Sequence, residues 1–351
     1  MKKHFLFLGL LTMSSAMFHS CKVDDEDVPS TNNTVNEDLL SIPNGDGTPA
    51  APFRISNANE LLYYSAVING NVDTIPQNKS AYGIVVADID MSSICGGGNG
   101  TWKPIGFDTV CFSGVFDGGN HTINNIYIAN STIEGQGLFG KIKGAEIKNV
   151  IIGSGEIKSD AICTAAIVGE GSGYIVNCHN YANVENSKKF TGGVVGYLSQ
   201  SSTIERCHNE GEIRGINPSK SQFAVGGIAG AANAGCVVKD CYNLGKVIGE
   251  SSRVGGIVGS AEDCHISNCY SYADVASLSN DYGGGICAIA CGYPFTTVVD
   301  CYFYNSLGQV GQQPAMARLE EEFNNGSIFK MLDEQSANVW KQVNGNYPIL
   351  K

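Results

Sequence analysis

From Cys207 onward, every second residue is small or apolar. Cys207, Asn209, Gly211 and Ile213 alternate with His208, Glu210 and Glu212. A period of two predicts a half-buried β-strand. The pattern recurs as Cys-Asn-Ala-Val from Cys178, Cys-Asn-Gly-Val from Cys241 and Cys-Ser-Ala-Val from Cys269, with a further copy at Cys301. Three residues before each cysteine stands an apolar residue: Ile175, Ile204, Val238, Ile266 and Val298. Directly before each cysteine stand Asn177, Arg206, Asp240, Asn268 and Asp300. Two inward residues three apart break the strand period, which predicts a corner between two strands with Asn or Asp at the bend.

These strands belong to repeats. Gly192–Ile213, GGVVGYLSQSSTIERCHNEGEI, returns at Gly226–Val247, Gly255–Val275 and Gly283–Asn305, and in weaker form at Ala165–Val184. The cysteines are spaced by 29, 34, 28 and 32 residues. Repeats of this length predict a stacked architecture. Three or more glycines per copy, with β-branched residues at strand spacing, disfavour helical repeats. Stacked turns would align like residues into ladders roughly 4.8 Å apart. They predict a column of cysteines, a Val/Ile column and an amide ladder of Asn180, Asn209 and Asn243.

The expected fold is therefore all-β, a parallel β-helix or solenoid, right-handed as parallel crossovers almost always are. A short N-terminal capping helix is expected from about Asn59 to Asn69, started by the N-cap signal Ser56–Glu60. It would cover an edge that otherwise invites aggregation. Clear repeats occupy 165–305. A C-terminal helix-plus-strand cap is expected over 306–351, where Phe323 to Leu332 precede Trp340 and Tyr347-Pro348-Ile349-Leu350.

Upstream, Tyr82–Met91 reads as one strand ending Asp88-Ile89-Asp90-Met91. Trp102-Lys103-Pro104-Ile105-Gly106 follows, then Phe112–Ile126 with the turn Asp117-Gly118-Gly119-Asn120, then Gly137-Leu138-Phe139-Gly140. With the GG[IV]xG…C[HY]N repeats, this succession resembles GLUG-motif proteins, which are surface and secreted bacterial proteins. The resemblance covers about 53–351 and implies a β-solenoid with adhesive or scaffolding roles. Some family segments sit beside IgA-peptidase-type modules. The HExxH motif is absent from this sequence, so zinc peptidase activity is not implied.

The N-terminus sets the expected address. Lys2 and Lys3 precede an apolar run from Phe5 to Met17, too short to span a bilayer. Phe18-His19-Ser20-Cys21 resembles a bacterial lipobox, with Phe where Leu is usual. The acidic run Asp24–Asp27 then resembles the surface-export signal of Bacteroidetes lipoproteins. The expectations are a signal peptide over 1–20, lipid attachment at Cys21, a flexible tether over 21–52 and a folded domain over 53–351. The protein would be held in the outer membrane by its lipid anchor and exposed at the cell surface. Formal charge is −12 over all 351 residues. A chain this acidic, without a basic patch, is not expected to bind nucleic acid.

The candidate chemistry is sparse. His179, His208, Tyr242, Tyr270 and Tyr302 would share one outward column, and Tyr181, Tyr272 and Tyr304 a second. Exposed aromatic rows stack on sugar rings or form protein contacts; aromatic ladders also stabilise neighbouring strands. The candidate ligand-binding residues are His179, His208, Tyr242, Tyr270, Tyr272, Tyr302 and Tyr304. Asp88 and Asp90 share one strand face and are weighed as an acid–base pair, with a structural role preferred. Of 13 cysteines, the repeat column is expected to be buried and reduced, because parallel strands hold Cβ atoms beyond disulfide reach. Cys95 and Cys111 are a candidate bridge, and Cys287 and Cys291 have no clear partner. With no CxxC pair, no metal is expected, and no cofactor. Thr74 and Thr109 sit in Asp-Thr-aliphatic triplets that resemble Bacteroidetes O-glycosylation acceptors. The expected function is a non-catalytic adhesin or binding scaffold for a host or dietary glycan or a surface protein. The alternatives are a polysaccharide lyase or hydrolase on the same fold and a structural spacer in a surface assembly.

Overall fold

Each repeat folds into one rung of a parallel β-solenoid. One rung runs through strands Phe190–Gly192, Val195–Leu198, Thr203–Glu205, His208–Asn209 and Ile213–Gly215. The next runs through Ala224–Gly226, Ala229–Asn233, Val237–Lys239, Tyr242–Asn243 and Val247–Gly249. Each strand pairs in parallel with its counterpart in the next rung: Val195 with Ala229, Ile204 with Val238, Asn209 with Asn243, Ile213 with Val247. Stacking builds four sheets of 13, 9, 6 and 5 strands. The computed structural model describes residues 35–351 except 99, 217–222, 251–252, 278–285, 288, 293–294, 305–314 and 344. The expected signal peptide over 1–20 and the expected lipid-attachment residue Cys21 lie outside the described residues.

Inward positions fall as the sequence pattern requires. Cys178, Cys207, Cys241, Cys269 and Cys301 are buried free thiols, and Ile175, Ile204, Val238 and Ile266 are wholly buried beside them. The bend residues all take the left-handed conformation, with φ of 56° at Asn149, 53° at Asn177, 53° at Arg206, 54° at Asp240, 53° at Asn268 and 50° at Asp300. Asn and Asp tolerate this region and Arg does not share their advantage. The side chains continue the stack: Asn177 Nδ2 donates to Asn149 Oδ1 at 2.7 Å, and Asn149 Nδ2 to Asp117 Oδ1 at 2.8 Å.

A second amide ladder is fully buried. Asn180 Nδ2 donates to Asn209 Oδ1 at 2.7 Å, and Asn209 Nδ2 to Asn243 Oδ1 at 2.8 Å. Each amide also donates to the carbonyl two residues on, at Ala182, Gly211 and Gly245. The ladder explains the paired glycines Gly192-Gly193 and Gly226-Gly227. A Cβ on Gly193 would lie 2.2 Å from Gly227 O and 2.5 Å from Asn209 Oδ1, and one on Gly227 2.3 Å from Asn243 Cγ. Only glycine admits the rung above at that distance.

The N-terminal helix α1 spans Ala58–Asn69. Asn57 Oδ1 accepts from Glu60 N at 3.0 Å, while Glu60 accepts from Ser56 Oγ at 2.8 Å. Tyr64 of α1 is buried against Phe112 and Phe116, with ring centroids at 6.3 and 5.6 Å, and its hydroxyl donates to Ala81 O at 3.0 Å. Two expectations change here. Residues 36–52, placed in the flexible tether, pack on the domain: Asn59 Nδ2 donates to Leu39 O at 2.6 Å and Tyr82 N to Gly47 O at 2.8 Å. Tyr82–Met91 is not one strand. Tyr82–Val85 and Ile89–Asp90 belong to different sheets, because a rung corner falls between them.

The C-terminal segment supplies α2 (Glu320–Asn324), α3 (Ser327–Gln335) and an antiparallel pair, Trp340–Gln342 with Pro348–Leu350. Strand Met316–Arg318 extends the stack by pairing with Tyr302–Tyr304. The helices and hairpin then lie against the side of the solenoid.

Candidate functional site

The column one residue after the cysteines forms as the repeat predicts. His179 pairs in register with His208, His208 with Tyr242, Tyr242 with Tyr270 and Tyr270 with Tyr302. Strand spacing puts the rings in contact. Centroids lie 4.1 Å apart for His179 and His208, 4.6 Å for His208 and Tyr242, and 5.2 Å for Tyr242 and Tyr270, with ring planes 24°, 11° and 3° apart.

This column is not an open binding face. The C-terminal cap covers it. Trp340 lies 6.1 Å from Tyr242 and 5.8 Å from Tyr270, and Phe323 lies 5.6 Å from Tyr270. Tyr270 Oη donates to Pro348 O, and the Arg318 guanidinium lies 5.5 Å from the Tyr302 ring centre. Tyr242, Tyr270 and Tyr302 are at most 3% exposed, and His208 is 6% exposed. The three tyrosines are core residues of a second hydrophobic cluster with Phe323, Ile328, Leu332, Trp340 and Leu350, so the reading of these tyrosines and of buried His208 as exposed ligand contacts is corrected. The cause is the cap: facing outward from the solenoid is not facing solvent. Tyr272 is half-buried, stacked on Tyr304 at 4.7 Å and edge-on to Phe323 at 5.0 Å. Tyr304 and His179 are half-buried too, and Tyr181 is exposed.

His208 sits at the rim of the covered zone. Its Nε2 lies 3.1 Å from Tyr181 Oη and 3.7 Å from Glu210, while its Nδ1 is buried without a hydrogen-bond partner. Burial, with a smaller contribution from His179, pushes its pKa down to about 2. Burial lowers that of His179 as well. Both rings are neutral stacking groups at physiological pH.

The remaining sequence candidates resolve individually. Asp88 Oδ1 accepts from Thr122 N at 2.9 Å. Asp90 Oδ1 accepts from Ser92 N at 3.0 Å and Asn125 Nδ2 at 2.9 Å. These hydrogen bonds lower both pKa values, and those to Thr122 and Asn125 tie rung to rung. Cys95 is a buried free thiol, so it does not bridge to Cys111, which is disulfide-bonded. The side chains of Cys287 and Cys291 lie outside the described residues. Thr74 and Thr109 are exposed turn residues. Among the described residues, no group of three or more His, Cys, Asp or Glu side chains is arranged to hold a metal ion.

A polar cleft on a different sheet went unrecognised in the sequence. Strands Gly155–Ser159, Asn183–Asn186 and Ile213–Gly215 stack in register, Glu185 opposite both Lys158 and Arg214. Ile157, Val184 and Ile213 point inward and are buried. Glu156, Lys158, Asn183, Glu185, Glu212 and Arg214 line a cleft of about 420 Å³. Opposite charges alternate within it: Lys158 Nζ lies 2.6 Å from Glu156, and Arg214 lies 3.6 Å from Glu185 and 3.2 Å from Glu212. The available signal was the pair of polar outward positions five and seven residues after Cys178 and Cys207, Asn183 with Glu185 and Glu212 with Arg214.

Comparison with known proteins agrees with the architecture. Residues 250–276, the rung holding Cys264 and Cys269, match the family model described as the GLUG motif. The chain is 27% identical over 174 residues to Halomucin of Haloquadratum walsbyi, a match covering 47% of this chain and 2% of that protein. Its fold resembles the crystal structure of a "putative immunoglobulin A1 protease" from Bacteroides ovatus, with a TM-score of 0.65 at 21% identity, covering 89% of this chain and 95% of the other. The chain carries a GLUG motif on a β-solenoid.

Proposed function

We propose that the protein is a non-catalytic binding scaffold, held at the cell surface by a lipid on Cys21, whose contact face is the sheet carrying Glu156, Lys158, Asn183, Glu185, Glu212 and Arg214. The observation that carries this reading is the cleft of about 420 Å³ those residues line. Its side chains rise from stacked strands whose register is fixed by the buried column beneath them. A rigid array of alternating carboxylates and cations suits a polar ligand with charges of both signs, either a glycan bearing acidic and amino groups or a charged protein surface. The buried aromatic column leaves little room for a sugar-stacking platform, so recognition rests on hydrogen bonds and ion pairs.

One observation favours a second reading, a carbohydrate-active enzyme: three carboxylates, Glu156, Glu185 and Glu212, share this cleft. Acid–base hydrolysis needs two carboxyls in different protonation states. Here each carboxylate has a cation beside it, which supports binding over catalysis.

Glycan-array binding and capture of labelled acidic and amino polysaccharides by the purified protein test both. Binding that falls at least tenfold in Lys158→Glu/Arg214→Glu, with unchanged circular dichroism, supports the scaffold. Turnover of an acidic polysaccharide, lost in Glu185→Gln, overturns it in favour of the enzyme.

A further inference from the structure

Two of the cysteines outside the central column lie on adjacent rungs. Cys236 and Cys264 each occupy the position directly before the strand that leads to the corner, Val237–Lys239 in one rung and His265–Ser267 in the next. Val237 pairs with His265, and upstream Asn233 pairs with Glu262. Between these registered pairs, three residues (Ala234, Gly235, Cys236) lie opposite two (Asp263, Cys264). The extra residue makes this turn one residue longer on the first rung, so the two cysteines are not held in strict strand register. The five column thiols sit between equally spaced registered pairs, and strict parallel stacking keeps their Cβ atoms beyond disulfide reach.

The two thiols face the same way. Cys236 Sγ donates to Asn233 O at 2.9 Å and Cys264 Sγ to Glu262 O at 3.3 Å, the carbonyls of two residues paired in register. Both cysteines are free and buried. Exposed residues flank them: Ala234 and Gly235 on one rung and Glu262, Asp263 and His265 on the other. The hydrogen bond between the thiols holds Cys236 below the ordinary thiol range and pushes Cys264 above it. Two thiols side by side on adjacent rungs, beside exposed turn residues, are the arrangement that thiol–disulfide exchange requires.

We infer that Cys236 and Cys264 form an oxidisable inter-rung dithiol, a disulfide-forming site that staples adjacent rungs when a small disulfide reagent is present. The Cys236 thiolate attacks one sulfur of an oxidised disulfide such as glutathione disulfide, forming a mixed disulfide and releasing one thiol. The Cys264 thiol loses its proton and displaces the second. The protein gives up two electrons and two protons, the reagent becomes two thiols, and one S–S bond joins the rungs. The column from Cys178 to Cys301 stays reduced under the same conditions.

The test is a redox titration of the intact folded protein with glutathione disulfide. Free thiols are then alkylated, the chain is digested, and the peptides are read by mass spectrometry. The expected result is a peptide pair linked through Cys236 and Cys264, lighter by two hydrogens than the reduced pair, while the five column thiols are alkylated only after denaturation. Cys264→Ser should stop at a mixed disulfide with glutathione on Cys236. Full alkylation of Cys236 and Cys264 after oxidation, or linkage of either to a column cysteine, overturns the inference.

Discussion

His208 supplies a quantitative prediction about acid stability. Its ordinary pKa of 6.5 falls to about 2 in the folded protein because the ring is buried between His179 and Tyr242. Below pH 6.5 the unfolded chain binds a proton at this position and the folded chain does not. Proton uptake therefore favours unfolding, so stability is complete above 6.5 and is lost as pH falls. From pH 7.5 to 5 the loss from this ring alone is about 2 kcal/mol, since each pH unit below the unfolded pKa removes about 1.4 kcal/mol. Asp88 and Asp90 have lowered pKa values, so their contribution is lost below their ordinary 3.8 and stays out of this window. The perturbation is His208→Tyr, which gives the rung the residue found at 242, 270 and 302. Urea denaturation from pH 7.5 to 5 should show the parent losing about 2 kcal/mol more than the variant. Equal losses in both proteins, or an imidazole resonance of His208 titrating near 6.5, would refute the account.

Three further outcomes follow from the ladders and the cap. Gly193→Ala sets a Cβ 2.2 Å from the Gly227 carbonyl, and should destabilise by more than about 4 kcal/mol or prevent folding; near-parental thermal melting would contradict the packing account. Arg206→Asn puts a tolerant residue at φ 53° between Asn177 and Asp240 and should raise stability by about 1 kcal/mol, the lost Glu205 pair at 3.7 Å being a weak surface contact; no rise in the urea midpoint would count against it. Trp340→Ala removes a fully buried ring from the cap cluster and should cost about 3–5 kcal/mol within that cluster. Limited proteolysis should then release the C-terminal segment while the solenoid core persists, and an unchanged cleavage pattern would show that Trp340 does not hold the cap.

The rung was legible because it is local and repeated. Cys207, Asn209, Gly211 and Ile213 point inward by strand alternation, and Arg206 marks the bend because its counterparts are Asn or Asp. Even the partners in the amide ladder follow from aligning Asn180, Asn209 and Asn243. Placement of the cap was not legible. Trp340 and Tyr270 are 70 residues apart, and nothing periodic links them; alternation gives the face of a strand but not what lies on it. The same limit hid the cleft, since Glu156, Glu185 and Arg214 come from three rungs with different loop lengths. It hid the longer turn before Cys236 as well, because Ala234-Gly235 against Asp263 reads as ordinary turn variation.

The cap changes which face is open to solvent. A solenoid of stacked identical rungs offers the same aromatic column at every level, and an uncovered column of that kind would be an apolar stripe prone to association. The cap hides its lower part under Phe323 and Trp340. At its upper end Tyr181 remains exposed and His179 half-buried, while His208 lies just inside the covered zone. The cleft sheet has the opposite composition. Its outward side chains are ionic and half-exposed, with Arg214 and Glu185 38% and 37% exposed, and their charges already alternate along the stack. Such a face resists self-association yet offers a partner directional contacts at fixed strand spacing. Specificity would then come from the order of charges along the rungs, so exchanging Lys158 and Glu185, which sets a lysine opposite Arg214, should alter ligand preference at a cost of at most about 1 kcal/mol while the buried column beneath stays intact.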